Sequence, residues 1–324
     1  MAYYIAWRLL VGANQEAKEN RMEDIKAVDM MNYPGEVGMG DTIDFRYEEF
    51  KTMARSTFKS QFGGRVPTPE EFAEIKKAGF MPGHNSVEEL LKTMDEVGYD
   101  YVVLTDVKMW SYYYHHKLIM DNGIEDINKA VQQGKGKIIG GVSYNPFRID
   151  DSLREIEKAV KEYGFKYVYF HPITFGLAPN DKKCYPVYAK CVELDVPIGM
   201  QVGHSAEPLP SWVGHPMYVD EVAIDFPTLK INMSHTGYPW IDEWCSMIFR
   251  HPNVYGDISA YNPAHLNPAT VQFMNGGRGR EKVMFGTNAY GLKLTKDQFM
   301  SLDIKDISKQ RILRENAIEF LGLK

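Results

Sequence analysis

The stretch SVEELLKTMDEVGYDYVVLT, residues 86–105, predicts a helix that is followed at once by a buried strand. Ser86 can cap the helix, with Glu89 at the third helical position. Apolar residues then recur at helical spacing until Gly98 ends the run. The apolar, β-branched segment Tyr101–Thr105 follows, as expected of a strand that is covered on both faces.

A second copy of this arrangement begins at Ser152, with Glu155 as its capping partner, and ends in the strand segment Tyr167–Phe170. Helices that alternate with buried strands indicate a parallel sheet, because parallel neighbours need crossover connections. Eight candidate strands follow one another along the chain: Ile25–Asp29, Tyr101–Thr105, Lys137–Val142, Lys166–Phe170, Pro197–Val202, Lys230–Ser234, Asn253–Ile258 and Lys282–Gly286. This count predicts the α/β class and a (β/α)8 TIM barrel.

The chain is longer than an ordinary TIM barrel, and the positions of the additional residues predict the domain organisation. A TIM barrel takes roughly 250 residues, and this chain has 324. We expect residues 1–24 to form an N-terminal arm and residues 25–324 to form one barrel. About 70 residues separate the first two strands, far more than an ordinary connection. The insertion at 35–85, around the helical stretch Phe45–Lys59, is therefore predicted to be a lid or a dimerisation element.

The composition favours a cytoplasmic protein that acts on a small molecule. Hydrophobic residues make up 44% of the chain, enough for a large core, and no segment predicts a membrane span. The net charge of −6 offers no basic surface for nucleic acid. The three cysteines form no CxxC pair, which is typical of free thiols in a reducing compartment. The apolar N-terminal arm and the insertion favour a homo-oligomer.

The ends of the predicted strands point to the site, because barrel enzymes carry their reactive groups at the carboxyl ends of the strands. Of nine histidines, His171, His204 and His235 fall at or just past such ends. A single buried histidine is commonly a core residue bonded to a backbone carbonyl. Three histidines at one end of a barrel predict a functional site instead.

Several segments resemble the amidohydrolase-related TIM-barrel group that contains aminocarboxymuconate-semialdehyde decarboxylase and the resorcylate-type decarboxylases. They are Glu88–Gly98, Pro197–Gly203, Lys230–Gly237, His251–Ser259, Val283–Asn288 and Arg311–Gly322. The likeness runs from about residue 25 to the end of the chain, in register with the predicted strands. It implies the barrel fold, a metal-binding role for His171 and a catalytic role for His235.

The chain departs from this group at metal-binding positions. Where the group has Asp-x-His-x-His, this sequence reads Asp29-Met-Met-Asn-Tyr33. Gln201 and Asn288 stand where the group has a histidine and an aspartate. Thioether, phenol and amide groups are poor ligands for a divalent ion, so we predict no metal cofactor. The alternative is a divalent metal such as zinc held by His171, His204 and His235, with Asp29 or Asp257.

The remaining groups favour an enzyme of decarboxylase, C–C hydrolase or hydratase type that uses histidine acid–base chemistry without metal. His235 is the expected acid–base group, and His171 is its partner or a hydrogen-bond donor. The substrate is expected to be a small carboxylated or cyclic compound, a class that includes aromatic rings. Its expected binding residues are Tyr33, Gln201, Asn288, His204, Arg46, Lys108 and Trp240. The alternative is a non-catalytic barrel that binds a ligand or serves as a subunit, because metal ligands are also lost when function is lost.

Overall fold

A closed parallel sheet forms the centre of the molecule. The computed structural model describes residues 25–33, 43–77, 86–114 and 117–323. The strands are β1 Ala27–Asn32, β2 Tyr99–Thr105, β3 Lys108–Trp110, β4 Leu118–Asp121, β5 Ile138–Ser143, β6 Tyr167–Phe170, β7 Ile198–Gln201, β8 Ile231–Ser234, β9 Val254–Asp257 and β10 Val283–Met284. Eight of them form one sheet in the order β1-β2-β5-β6-β7-β8-β9-β10. Each overlaps a predicted strand, so the predicted TIM barrel is confirmed. The antiparallel hairpin of β3 and β4 was not predicted.

The barrel is closed between β1 and the segment that follows β10. The backbone N–H of Met30 donates to Phe285 O at 3.1 Å. Three residues after Phe285, the N–H of Asn288 donates to Met31 O at 2.8 Å. These bonds supply the backbone pairing that closes the sheet and remove its edges.

A buried carboxylate reinforces this closure. Asp29, with no exposed surface, accepts hydrogen bonds from Thr287 N at 2.7 Å and from Thr287 Oγ1 at 2.6 Å. It also accepts from Met31 N at 3.1 Å and from Asn32 Nδ2 at 2.7 Å. Burial raises the pKa of Asp29 to about 6, although these donors act in the opposite direction. Asp29 therefore joins the first strand to the last connection of the barrel.

Helices connect the strands and cover the outside of the barrel. They are α1 Glu48–Arg55, α2 Lys59–Phe62, α3 Pro69–Lys77, α4 Val87–Val97, α5 Ile124–Gln133, α6 Ile149–Lys161, α7 Tyr185–Leu194, α8 Val219–Asp225, α9 Ile241–Arg250, α10 Pro268–Asn275, α11 Gly277–Lys282, α12 Leu292–Met300, α13 Asp306–Gln310 and α14 Asn316–Leu321. Among the helices in the described ranges, none has the length and apolar content that a bilayer-spanning segment requires.

The two predicted helix starts have different outcomes. The Ser86 cap is confirmed, because Ser86 Oγ accepts a hydrogen bond from Glu89 N at 3.1 Å at the start of α4. The start at Ser152 was wrong, because α6 begins three residues earlier at Ile149. Ser152 is buried inside the helix, and its hydroxyl accepts a hydrogen bond from Asn145 N at 3.1 Å. Its side chain thus fixes the loop before the helix rather than the helix end.

The described part of the insertion, residues 43–77, packs on the carboxyl end of the barrel. The predicted helical stretch Phe45–Lys59 contains α1 and the start of α2, and α3 follows it. Phe50 and Phe58 belong to the same buried cluster as Met109 and Tyr169 of the barrel. The predicted N-terminal arm at 1–24 and the insertion residues 34–42 and 78–85 lie outside the described residues.

The interior of the barrel below this end is filled by side chains. Tyr167 is fully buried, and its Oη accepts a hydrogen bond from Asn232 Nδ2 at 3.0 Å. Position 199 is a glycine because a Cβ there would lie 1.6 Å from the same hydroxyl oxygen. A filled interior leaves the carboxyl end of the barrel as the place where a ligand can bind.

Candidate active site

A cavity of about 180 Å³ opens at the carboxyl ends of the barrel strands; we call it the mouth cavity. It brings together six of the predicted site residues, namely Tyr33, His171, Gln201, His204, His235 and Asn288. It is also lined by Thr57, Phe58, Val107, Met109, Tyr169, Ser205, Ala206, Glu207, Ala260, Tyr261 and Tyr290. Thr57 and Phe58 come from the insertion, so the insertion forms one wall.

Three predicted binding residues do not line the mouth cavity. Arg46 is on the exposed surface, where it forms an ion pair with Asp44 at 2.6 Å. The Lys108 ammonium is buried among Asp106, Asp121 and Glu155, and therefore its charge is already compensated. Trp240 packs edge-on against Trp212, with 5.9 Å between the ring centroids.

His235 is held in one tautomer. Its Nδ1 lies 3.1 Å from the carbonyl oxygen of Ser259, and a carbonyl oxygen can only accept, so Nδ1 carries the proton. Nδ1 also lies 2.8 Å from Ser259 Oγ. The lone pair of Nε2 is therefore left for a ligand in the mouth cavity. Burial lowers the pKa of His235, while the charge of Asp257 opposes that shift. The neutral, basic form is favoured.

Asp257 supports this arrangement from behind. It accepts hydrogen bonds from Ser259 N at 2.9 Å and from the Ser259 hydroxyl. It also accepts from Asn232 Nδ2 at 2.6 Å and from Ser234 Oγ at 2.7 Å. Asp257 therefore fixes the position of Ser259, and Ser259 in turn orients the ring of His235.

His171 is held in the opposite tautomer. The backbone N–H of Thr174 donates to His171 Nδ1 at 3.3 Å, so Nδ1 is unprotonated and Nε2 carries the proton. The Nε2–H group donates a hydrogen bond to Ser205 Oγ at 3.3 Å, and the Ser205 hydroxyl in turn donates to Glu207 Oε2. Burial, with a contribution from His235, lowers the pKa of His171 to about 3.

Ser205 and Glu207 are not among the residues that the strand-end pattern predicts. They lie in the loop after β7, three and five residues past the predicted strand-end residue, Val202. Glu207 is only 5% exposed, and burial raises its pKa, whereas the hydrogen bond from Ser205 opposes that shift. The only signal in the sequence is a carboxylate close after His204, and a solvent-exposed loop residue gives the same signal.

Uncharged polar groups complete the lining. Tyr33 is buried, and burial raises its pKa, so the phenol is neutral. Gln201 donates from Nε2 to His204 O at 3.4 Å and lies 3.5 Å from the Tyr169 hydroxyl through Oε1. Asn288 is the third such group.

The backbone around the mouth cavity is strained. His235, Ala260 and Asn288 have φ angles of +73°, +66° and +51°, in the left-handed region that favours glycine. Each residue follows a different strand: β8, β9 and β10. Such conformations cost about 1 kcal/mol or more and concentrate at functional sites.

We expect both buried imidazoles to be protonated less than a free histidine on acidification. At pH 5.5 a free imidazole is about nine-tenths protonated, but a pKa of about 3 keeps His171 uncharged, and burial lowers the pKa of His235 as well. Nitrogen-15 NMR, assigned with His171→Gln and His235→Gln, measures the protonation of each ring. Because the unfolded chain binds more protons between pH 6.5 and 3, this contribution to stability is lost on acidification. A midpoint near 6.5 for either ring would contradict the prediction.

Fold and cavity together define a (β/α)8 barrel with buried histidines at its carboxyl end. The chain belongs to the amidohydrolase family, whose model matches residues 65–323. It is thus an enzyme of lyase or hydrolase type, as predicted from the resemblance. No curated protein sequence matches the chain.

Solved structures share the fold. An uncharacterised TIM-barrel protein from Bordetella bronchiseptica is 23% identical, with a TM-score of 0.71 over 92% of this chain and 98% of that one. The 5-carboxyvanillate decarboxylase of Novosphingobium aromaticivorans, solved with manganese and a nitrobenzoic acid, is 16% identical, with a TM-score of 0.64 over 93% and 98%. A dihydroxybenzoic acid decarboxylase from Polaromonas, with manganese and 2-nitroresorcinol, is 14% identical, with a TM-score of 0.61 over 92% and 97%.

The manganese in two of these structures raises the question whether this chain can hold a divalent ion. Within the described ranges, no three His, Cys, Asp or Glu side chains are grouped as a metal site requires. The oxygens of Asp29 and Asp257 already accept hydrogen bonds. The Thr174 N–H on Nδ1 leaves His171 Nε2 protonated, so it has no lone pair for a metal. The described donors therefore do not fit the ion; His84, His115 and His116 lie outside them.

Proposed function

We propose that this protein is an enzyme that transfers a proton to or from a small ring compound in the mouth cavity. His235 acts as the base through Nε2, and His171 is its partner as a hydrogen-bond donor from Nε2. Decarboxylation, C–C bond hydrolysis and hydration are the reactions of this type. The observation that carries the proposal is the pair of opposite tautomers, which places one proton acceptor, His235 Nε2, and one hydrogen-bond donor, His171 Nε2, at one cavity.

The size and lining of the mouth cavity support a single ring as the ligand. Benzene fits an apolar cavity of roughly 150 Å³, and the mouth cavity measures about 180 Å³. Its apolar walls include Phe58 and Met109, and Tyr33, Gln201 and Asn288 supply uncharged hydrogen-bonding groups. The ligands of the two decarboxylase structures are substituted phenols, which supports the same ligand class.

The proposed chemistry takes place without a divalent ion. In that case the hydrogen-bonding groups of Tyr33, Gln201 and Asn288 orient the ligand oxygens, and the acid–base step belongs to His235. The network behind His235 supports an enzyme over the non-catalytic alternative, because it leaves a basic nitrogen, Nε2, free toward the cavity. We further propose that the insertion acts as a lid; the cytoplasmic location and the homo-oligomer stay predictions.

Ring-hydrogen exchange tests this proposal without knowledge of the natural substrate. In D₂O the hydroxyls of resorcinol carry deuterium, and His235 takes a hydroxyl deuteron and delivers it to a ring carbon. His235 then takes the original hydrogen of that carbon, which restores the aromatic ring as a phenolate. The phenolate takes a deuteron from solvent, and His235 releases the hydrogen to solvent. We expect chelator-treated protein, verified by elemental analysis, to incorporate deuterium faster than the buffer does, as measured by proton NMR. Added Mn²⁺ should not raise the rate. Exchange that requires Mn²⁺, or no exchange, would overturn the proposal.

A further inference from the structure

One wall of the mouth cavity carries a carboxyl group, and no cationic side chain is present in the described lining. Glu207 lines the cavity and is nearly buried. The Ser205 hydroxyl donates to its Oε2. That neutral donor orients the carboxylate but cancels none of its charge. A substrate in the cavity therefore meets a carboxylate oxygen that accepts hydrogen bonds.

A second buried carboxyl group acts on the first. Glu49 of α1 has no exposed surface, and its charge adds to the effect of burial, which raises the pKa of Glu207. Its Oε1 accepts hydrogen bonds from Ser111 Oγ at 2.6 Å and from Tyr112 N at 2.8 Å. Both donors are neutral as well, so the negative potential extends from the loop after β7 to α1.

Cationic side chains do not balance these carboxylates in the described part of the cavity. Its described lining contains no lysine or arginine. Burial lowers the pKa values of His171, His204 and His235, so their imidazoles contribute no fixed positive charge. Outside the described ranges, residues 34–42, 78–85 and 115–116 contain no lysine or arginine, whereas residues 1–24 contain Arg8, Lys18 and Arg21, and residue 324 is a lysine.

This charge pattern decides which ligands the cavity can accept. A substrate carboxylate would lose its hydration in the cavity and would be repelled by the Glu207 carboxylate. The described lining has no cation that would compensate for either cost. A hydroxyl group meets the opposite situation, because it donates to a charged acceptor. We propose that the mouth cavity selects an uncharged hydroxylated ring over the same ring with a carboxylate, and that Glu207 determines this selection.

The selection deepens the proposed function and rests on it for the ring as the ligand class. It also separates the possible reactions. An uncharged ring has no carboxylate to lose, so hydration and C–C hydrolysis fit this cavity, and decarboxylation of a bound carboxylate does not. The Glu207 oxygens would hold a substrate hydroxyl close to the two histidines of the same cavity.

Resorcinol and 2,6-dihydroxybenzoate form a matched pair for the test, since they share a ring and both hydroxyls and differ by one carboxylate. In isothermal titration calorimetry we expect the affinity for resorcinol to exceed the affinity for 2,6-dihydroxybenzoate by a factor of about ten or more. Glu207→Gln keeps an oxygen that can accept from Ser205 but removes the charge, so we expect it to reduce this ratio about tenfold. Glu96→Gln, at an exposed site, is the control and should leave the ratio unchanged.

Three outcomes would overturn the selection: tighter binding of 2,6-dihydroxybenzoate, no binding of either compound, or an unchanged ratio in Glu207→Gln. Tighter binding of the carboxylate would indicate a cation from outside the described lining. The proposed function fails in a different experiment, ring-hydrogen exchange. The ratio of two affinities can hold while exchange is absent, and exchange can occur while the ratio is reversed.

Discussion

Replacing His235 with glutamine is expected to lower the rate of ring-hydrogen exchange in resorcinol by about 10²–10⁴-fold, the usual contribution of a general acid–base group. Glutamine can still form a hydrogen bond toward Ser259, but it cannot take up a proton. The Nε2 lone pair that the Ser259 carbonyl leaves for the cavity is thereby removed. Proton NMR in D₂O measures the rate, and resorcinol affinity should change much less than the rate.

The matched control is His265→Gln, because His265 is exposed and lies outside the cavity lining. It should exchange hydrogen at the rate of the unaltered protein. Circular dichroism should show the same fold for both variants. An exchange rate in His235→Gln within about threefold of the unaltered protein would reject the acid–base role, since that is far below the usual contribution.

The second large effect concerns the closure of the barrel. Asp29→Ala is expected to lower the free energy of unfolding by about 3 kcal/mol, because buried donors that lose their acceptor cost about 1–3 kcal/mol each. The affected donors are Thr287 N, Thr287 Oγ1, Met31 N and Asn32 Nδ2. Urea unfolding followed by tryptophan fluorescence measures the change.

The pH dependence of this variant gives an independent check. The folded-state pKa of Asp29 lies at about 6, above its ordinary value of 3.8, so the folded protein binds more protons between these values. The Asp29 contribution to stability is therefore present below pH 3.8 and is lost as the pH rises through 6. Asp29→Ala should lack this component, and Asp303→Ala, at an exposed site, should keep it. A loss of stability below about 1 kcal/mol would contradict the structural role.

The apolar pattern of the sequence was enough to predict the strands, and the ends of the strands then predicted much of the cavity lining. Segments such as Tyr101–Thr105 are apolar on both faces, and only a sheet covered on both sides requires that pattern. Once the strands were placed, their carboxyl ends indicated His171, His235 and Gln201, which do line the cavity.

The remaining features depend on contacts that a sequence does not display. Lys108 follows a strand, but three acidic side chains surround it. Glu207 is part of the site only because its loop turns back toward His171. The tautomers of the histidines depend on backbone atoms, Thr174 N and Ser259 O, and backbone atoms are the same for every residue type.

The closure through Asp29 also has a consequence for how the chain acquires its cavity during synthesis. Asp29 and Thr287 are 258 positions apart, so the contact forms only after nearly the whole chain has been made. Contacts of such separation form late, because the entropy of the intervening chain must be lost first. Asn288, which lines the cavity, follows the same connection. A nascent chain that ends before this point has neither a closed barrel nor a complete cavity.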